Sequence, residues 1–320
     1  MSRATIVRTT VDGHDALAIE NTHLRAVVLP GLGGRVWTLE DRRRRRQWIW
    51  HRGTVPLAAC APGASYDDVW AGGWEELFPN DAAGVFEGRD LPDHGEWWTM
   101  AWDAQASEDA VQAQLRLTAT SRCLRAACVK TFSLPHDGTG LSVSYAIRSL
   151  EDRPFHFLFK QHLPVNLTPG CRLVLPGGRV EAVDPAFGTL LSGPGPFDWP
   201  ADTAPAAGQD DLRVIPPRSS GSREFVYVSG LPAPWCGVDD VEGGASLRME
   251  FDAPTFPFTW LFLSYGGWRD VYTAVLEPCT NRPKDLAEAV RLGQSAMLEP
   301  GQEFTTTVTV RLAGLAPGGR

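Results

Sequence analysis

Apolar and polar residues alternate with a period of two through most of this chain. Leu24 to Leu29, Gln112 to Thr120, Leu141 to Ile147 and Phe304 to Leu312 each set successive side chains on opposite faces, which predicts half-buried strands. Pieces rich in Gly, Pro and Asp, such as Leu134-Pro-His-Asp-Gly-Thr-Gly140 and Leu298-Glu-Pro-Gly-Gln302, separate them as turns. Helical periodicity is confined to a short stretch, Lys284 to Leu292. Without any alternation of strand and helix, the pattern predicts an all-β fold, a sandwich of many antiparallel strands. One region departs from it: about Asp184 to Ser222 is loop-rich, and it reads either as a partial lid over a cleft or as an excursion without a role. No internal repeat and no linker divides the chain, so residues 1–320 are expected to form a single domain.

Composition narrows the function classes. The chain has 320 residues, 43% hydrophobic and 21% charged, enough for a sizeable core. A net charge of −8 favours solubility and argues against a nucleic-acid partner. The run Arg42 to Arg46 lies between two strand-like flanks and reads as a charged hairpin turn in water. The opening residues show no apolar leader core, and no apolar run approaches the ~20 residues of a membrane helix, so no membrane partner and a cytoplasmic location are expected. Six cysteines without a C-x-x-C pair predict reduced thiols acting as small hydrophobes. The glycines of Leu29-Pro-Gly-Leu-Gly-Gly-Arg35 match no phosphate-binding spacing and read as a tight turn before a strand.

Candidate chemistry sits in three polar segments embedded in apolar sequence: Leu91-Pro-Asp-His94-Gly-Glu96-Trp97, Gln161-His162-Leu-Pro-Val-Asn166-Leu167, and Val275-Leu-Glu277-Pro278. Ionisable groups are costly to bury without partners, so two histidines and a carboxylate in core-like strands point to proton transfer. Twelve tryptophans, several beside these segments, supply flat faces that stack on pyranose C–H surfaces or fill a core; Trp268 is the first candidate for a cleft wall. Arg35 offers a fork of donors for hydroxyls or an anionic substituent, as do Arg89 and Arg269.

The ordered set Pro30-x-x-Gly33-Gly34-Arg35, Gly72-Gly-Trp-Glu-Glu-Leu-Phe-Pro79, Asp93-His94-Gly95-Glu96, His162-x-x-x-Asn166-Leu167, Leu276-Glu277-Pro278 and Leu298-Glu-Pro-Gly301 resembles the aldose 1-epimerase (galactose mutarotase) family over nearly the whole chain. The resemblance implies a β-supersandwich with a cofactor-free, metal-free site for a small-molecule sugar, in a monomer or homodimer. It implies that His162 is the general acid at the ring oxygen and Glu277 the base at the anomeric hydroxyl. It further implies that His94 bonds the sugar near these atoms and that Asn166 orients neighbouring groups. Glu75, Glu76 and Arg89, near the His94 segment, are further candidates for sugar hydroxyls. Two departures bear on substrate choice. Leu163-Pro-Val165 stands where the family has aromatic residues, and the family's hydroxyl-binding aspartate has three candidate counterparts, Glu224, Asp239 and Asp240.

Three readings remain open from the sequence. An acid and a base together favour an isomerase acting at C1. A sugar-binding protein without turnover, and an epimerase or lyase acting at another carbon on the same scaffold, are the alternatives, since a fold does not fix a reaction.

Overall fold

A computed structural model of the chain describes residues 3–191, 196–200 and 212–315. The alternating segments form antiparallel strands, and the expected sandwich is present. The 112–120 pattern lies in a strand running Gln112–Ser121, the 141–147 pattern in Gly140–Ser149, and the 304–312 pattern in Glu303–Gly314. These three join an eight-stranded sheet ordered Cys171–Val174, Trp235–Asp240, Ala245–Phe251, Glu303–Gly314, Gly140–Ser149, Ala126–Pro135, Gln112–Ser121, Asp103–Glu108. A seven-stranded sheet is ordered Phe197–Asp198, Arg179–Ala182, Ser222–Ser229, Phe258–Tyr265, Tyr272–Cys279, Lys160–Asn166, Glu75–Leu77. Residues 5–47 form a third sheet, a five-stranded meander that includes Leu24–Leu29 and Arg35–Asp41.

The two large sheets share one apolar cluster. Leu163, Val165, Val226, Leu261, Leu263 and Leu276 come to it from the seven-stranded sheet, and Leu115, Leu117, Phe132, Val143, Val308 and Val310 from the eight-stranded one. Each such side chain contributes roughly 1.5–3 kcal/mol when fully buried. Packing one face of the seven-stranded sheet in this way fixes the parity of every residue on it. Leu163 and Val165 turn to the core, so Lys160, His162 and Pro164 turn to the other face. That second face carries the candidate site.

Short-range chemistry sets the remaining elements. The helix at the expected 284–292 position runs Leu286–Arg291, with the Asp285 carboxylate accepting the Glu288 N–H as an N-cap. The Arg42–Arg46 turn is held by Asp41, whose Oδ1 accepts from the backbone N–H of Arg43 and Arg44 at 3.0 and 3.1 Å. Arg46 is not part of the solvated run: it ion-pairs with Asp240 at 3.1 Å and lies over the Trp48 ring. All six cysteines are free thiols, four of them buried. Among the described residues no helix is long and apolar enough to cross a membrane. Part of the loop-rich region, 192–195 and 201–211, lies outside the described residues.

Candidate active site

The outer face of the seven-stranded sheet floors a cavity of about 310 Å³. Strand register builds its polar part. Lys160 pairs with Cys279 and Leu163 with Leu276, so His162 stands opposite Glu277 across the two central strands. On its other side His162 pairs with Glu75. Glu277 in turn faces Trp260, and one step along, Phe262 faces Phe225. Phe262, Phe225, Phe187 and Trp268 line the apolar part of the same cavity, with Phe262 and Trp268 meeting edge to face at 5.2 Å.

His162 is 5% exposed. Its Nδ1 lies 3.2 Å from the Tyr66 hydroxyl, and its ring stands edge-on to Tyr66 and Trp70. Burial, reinforced by the positive charges of Lys160, His94 and Arg35, holds its pKa well below the ordinary histidine value, so the imidazole is neutral at neutral pH. Tyr66 enters from the one-turn helix Tyr66–Val69. Its hydroxyl donates to Glu75 Oε1, and the Arg35 guanidinium lies 3.1 Å from Glu75 Oε2.

Glu277 is buried and shares one ammonium with a second carboxylate. Lys160 Nζ lies 2.5 Å from Glu277 Oε2 and 2.5 Å from Asp81 Oδ2, and 4.2 Å from the centre of the Trp260 ring. Burial raises the Glu277 carboxyl above the usual carboxylate range despite Lys160. Asp81 is held below that range, because Lys160 and His94 outweigh its burial. Lys160 itself is raised, since the two carboxylates overcome the desolvation that would pull it down. The three directions are consistent with one ammonium committed chiefly to Asp81, leaving Glu277 the more basic carboxylate.

His94 is set by a tight turn. Its N–H donates to the Asp81 carbonyl at 2.7 Å, and the next residue, Gly95, has φ +70° and no room for a side chain: a Cβ there would meet the Phe78 carbonyl oxygen at 2.3 Å. The His94 ring stacks on Tyr66 at 4.0 Å, and its Nδ1 is 2.8 Å from Asp93 Oδ1. Burial opposes its charge, but Asp81 and Asp93 outweigh burial and raise its pKa. The other Asp93 oxygen accepts the Tyr66 backbone N–H at 2.8 Å, which ties the two segments together. Glu96 anchors the turn from behind, accepting the N–H groups of Arg122 and Cys123 at 2.8 Å.

His94, His162, Glu277 and Trp268 thus line one cavity. The structure places the other sequence candidates elsewhere. Arg35 is buried beneath the site, donating to the carbonyls of Leu32, Gly72 and Trp98. Glu76 is on the core-facing side of its strand, where it takes Lys130 Nζ at 2.7 Å and the Tyr145 hydroxyl at 2.7 Å. The cavity-side member of that pair is Glu75, because one residue along a strand reverses the face. Asn166 shares parity with His162 but lies at the strand end, where its amide donates to the Gln47 carbonyl. Arg89 is spent on Glu151, and Arg269 on Asp68.

None of the three proposed counterparts of the hydroxyl-binding aspartate lines the cavity. Glu224 is turned from it to accept the N–H groups of Leu190 and Leu191, Asp239 pairs with Arg248 at 2.6 Å, and Asp240 with Arg46. Asp67, Asp81 and Asp184 line it instead. Asp184 and Phe187 belong to the loop-rich region, whose first residues therefore form part of the wall. His156 lies in a separate short strand, Phe155–Phe157, cut off from Lys160–Asn166 by Leu158 and Phe159, and bonds Ser295, so it does not share the His162 face.

Tyr66, Asp81, Asp93 and Lys160 are the site residues that motif reasoning passed over. For Lys160 a signal existed: a lysine ending the apolar run Phe155-His-Phe-Leu-Phe-Lys160, two positions from His162, must share its face and needs a buried partner.

No family model matches the chain, and no curated protein matches it in sequence. Solved structures do match in shape. A candidate aldose 1-epimerase of Klebsiella pneumoniae superposes with a TM-score of 0.73 at 13% identity, over 98% of this chain and 84% of that one. A galactose mutarotase-like protein of Clostridium acetobutylicum gives 0.66 at 10% identity over 98% and 99%. A galactose mutarotase-related enzyme of Lactobacillus acidophilus gives 0.65 at 13% over 94% and 98%. At these identities the likeness is one of architecture, and the chain has the galactose mutarotase-like fold.

Proposed function

We propose that this protein is an aldose 1-epimerase, interconverting the α and β anomers of an aldose or modified aldose. The observation that carries this reading is the opposition of His162 and Glu277 across two adjacent strands, both open to one cavity large enough for a single sugar ring. Glu277 takes the proton of the anomeric hydroxyl while His162 delivers one to the ring oxygen. The C1–O bond of the ring opens, rotation about C1–C2 presents the other carbonyl face, and the reverse transfers close it. The step moves one proton out and one in, with no change of oxidation state. A well-placed acid or base contributes roughly 10²- to 10⁴-fold each. His94, its Nδ1 held by Asp93, is placed to donate from Nε2 to the sugar, and Trp268 and Phe262 offer faces to its C–H surface.

Exchange NMR of anomeric protons over a panel of neutral and anionic aldoses tests the reading. Acceleration that is lost in both Glu277→Gln and His162→Asn supports it, and names the sugar. A second reading, sugar binding without turnover, draws on the Lys160–Glu277 ion pair, which occupies one oxygen of the would-be base. Saturable binding of a sugar by the wild-type protein without faster exchange would select it.

A further inference from the structure

The resting site poses a problem for an acid at position 162. Burial beside Lys160, His94 and Arg35 opposes an imidazolium there, yet a ring that never holds the transferable proton cannot deliver it. The hydrogen bonds behind the ring resolve this. Tyr66 has one proton, and it is given to Glu75 Oε1. Its oxygen can then only accept from His162, so the imidazole proton sits on Nδ1 and the cavity-side Nε2 carries a lone pair. One proton taken up from water at Nε2 converts the site to the opposite sense, with Glu75 protonated and Tyr66 donating to Nδ1, and this form, with a proton on Nε2, is the one that delivers to the ring oxygen.

We propose that Glu75, Tyr66 and His162 form a proton relay, in which each proton gained or lost at His162 Nε2 is answered by a shift of the Nδ1 proton through the Tyr66 hydroxyl to or from Glu75. The balance closes: when Nε2 takes a proton, Nδ1 passes its own to the tyrosine oxygen, which passes its hydrogen to the carboxylate. When Nε2 gives one up, each shift reverses. The imidazole is neutral in both states, and the charge change is carried by Glu75. Two features fit that carrier. The Arg35 guanidinium at 3.1 Å supports the carboxylate, while complete burial pushes the Glu75 carboxyl upward and brings its protonated form within reach.

The elements that hold the relay also keep it aligned. Tyr66 is wholly enclosed, its ring stacked on His94, its backbone N–H on Asp93, and its hydroxyl between Glu75 and His162. Glu75 is fixed by register opposite His162. Tyr66 and Glu75 are therefore positioning residues acting through the histidine, and the kinetic part of the argument rests on the anomer exchange proposed above.

Nitrogen-15 NMR of histidine-labelled protein at neutral pH, with His162 assigned by its loss in His162→Asn, reads the relay directly. A neutral ring protonated on Nδ1 is expected in the wild type. Tyr66→Phe preserves the ring stack and removes the bridge, so the Nε2–H tautomer should become populated, and Glu75→Gln should do the same by a different route. Anomer exchange should fall about 10²-fold in kcat in both variants, with KM changed less than about threefold. An imidazolium or an Nε2–H tautomer in the resting wild type overturns the relay. So does an unchanged tautomer, or an unchanged kcat, in correctly folded Tyr66→Phe and Glu75→Gln. If no sugar is exchanged by the wild type while the tautomer results hold, the anomerase reading falls and the relay remains.

Discussion

Replacing Lys160 with Met should convert a satisfied buried triad into two desolvated carboxylates. The methionine keeps the stem's length and its packing on Trp260, so the loss is one of charge. Each ammonium–carboxylate contact is 2.5 Å, which at an effective dielectric of about 20 corresponds to roughly 7 kcal/mol of gross attraction. Desolvation of the ion offsets most of it, and breaking a buried pair by removing one partner costs about 3–5 kcal/mol. The signs follow from the shifts. Lys160 has a raised pKa, so its contribution is complete below the ordinary lysine value and fades only as pH climbs through the folded one. Asp81, lowered, contributes above the ordinary carboxylate range and loses this as pH falls. Without Lys160, burial dominates both acids and raises them, so the variant should lose stability as pH rises through its elevated carboxyl values. Urea unfolding near pH 5 and near pH 8 should therefore show a deficit that grows with pH. The low-pH limb of anomer exchange should also move up, since every unit by which the Glu277 pKa rises lowers its ionised fraction about tenfold on that limb. A deficit under about 1 kcal/mol, or one equal at both pH values, would refute the argument that Lys160 neutralises this pair.

Three further outcomes are expected. Asp93→Asn removes one of the two carboxylates that raise His94, so the His94 pKa measured by NMR should fall. The stability that His94 gives below the ordinary histidine value, lost as pH rises through the folded one, should shrink with it. Trp268→Ala removes an exposed-edge face without touching the proton-transfer groups, so KM for the exchanged sugar should rise about tenfold with kcat within about threefold. Gly95→Ala places a methyl 2.3 Å from the Phe78 carbonyl oxygen at φ +70°. Thermal unfolding should show a loss of at least about 2 kcal/mol, and the His94 resonance should shift as its turn is displaced.

The contrast between Glu75 and Glu76 shows what a sequence can and cannot say about this site. Period-two patterning locates the strands and even the three polar segments, because burial of alternate apolar residues leaves a direct trace in the chain. Assigning a face to Glu75-Glu76 needs more: both are charged, both are buried, and only the pairing of His162 with Glu75 and of Gln161 with Glu76 separates the one on the His162 side of the sheet, behind Tyr66, from the one facing Lys130. Arg35 is a similar case. A guanidinium after a glycine turn has the right donors for a sugar, but in the folded chain three carbonyls and Glu75 consume them. Partners distant in sequence make the difference: Lys160 finds Asp81 across 79 positions, and Tyr66 finds His162 across 96. Motifs therefore mark which residues can move protons, whereas the charge each holds is decided by neighbours that only the fold supplies. That division explains why His94 and His162, read alike in sequence, have their pKa values driven in opposite directions: Asp81 and Asp93 outweigh burial at His94, whereas at His162 burial is reinforced by Lys160, His94 and Arg35.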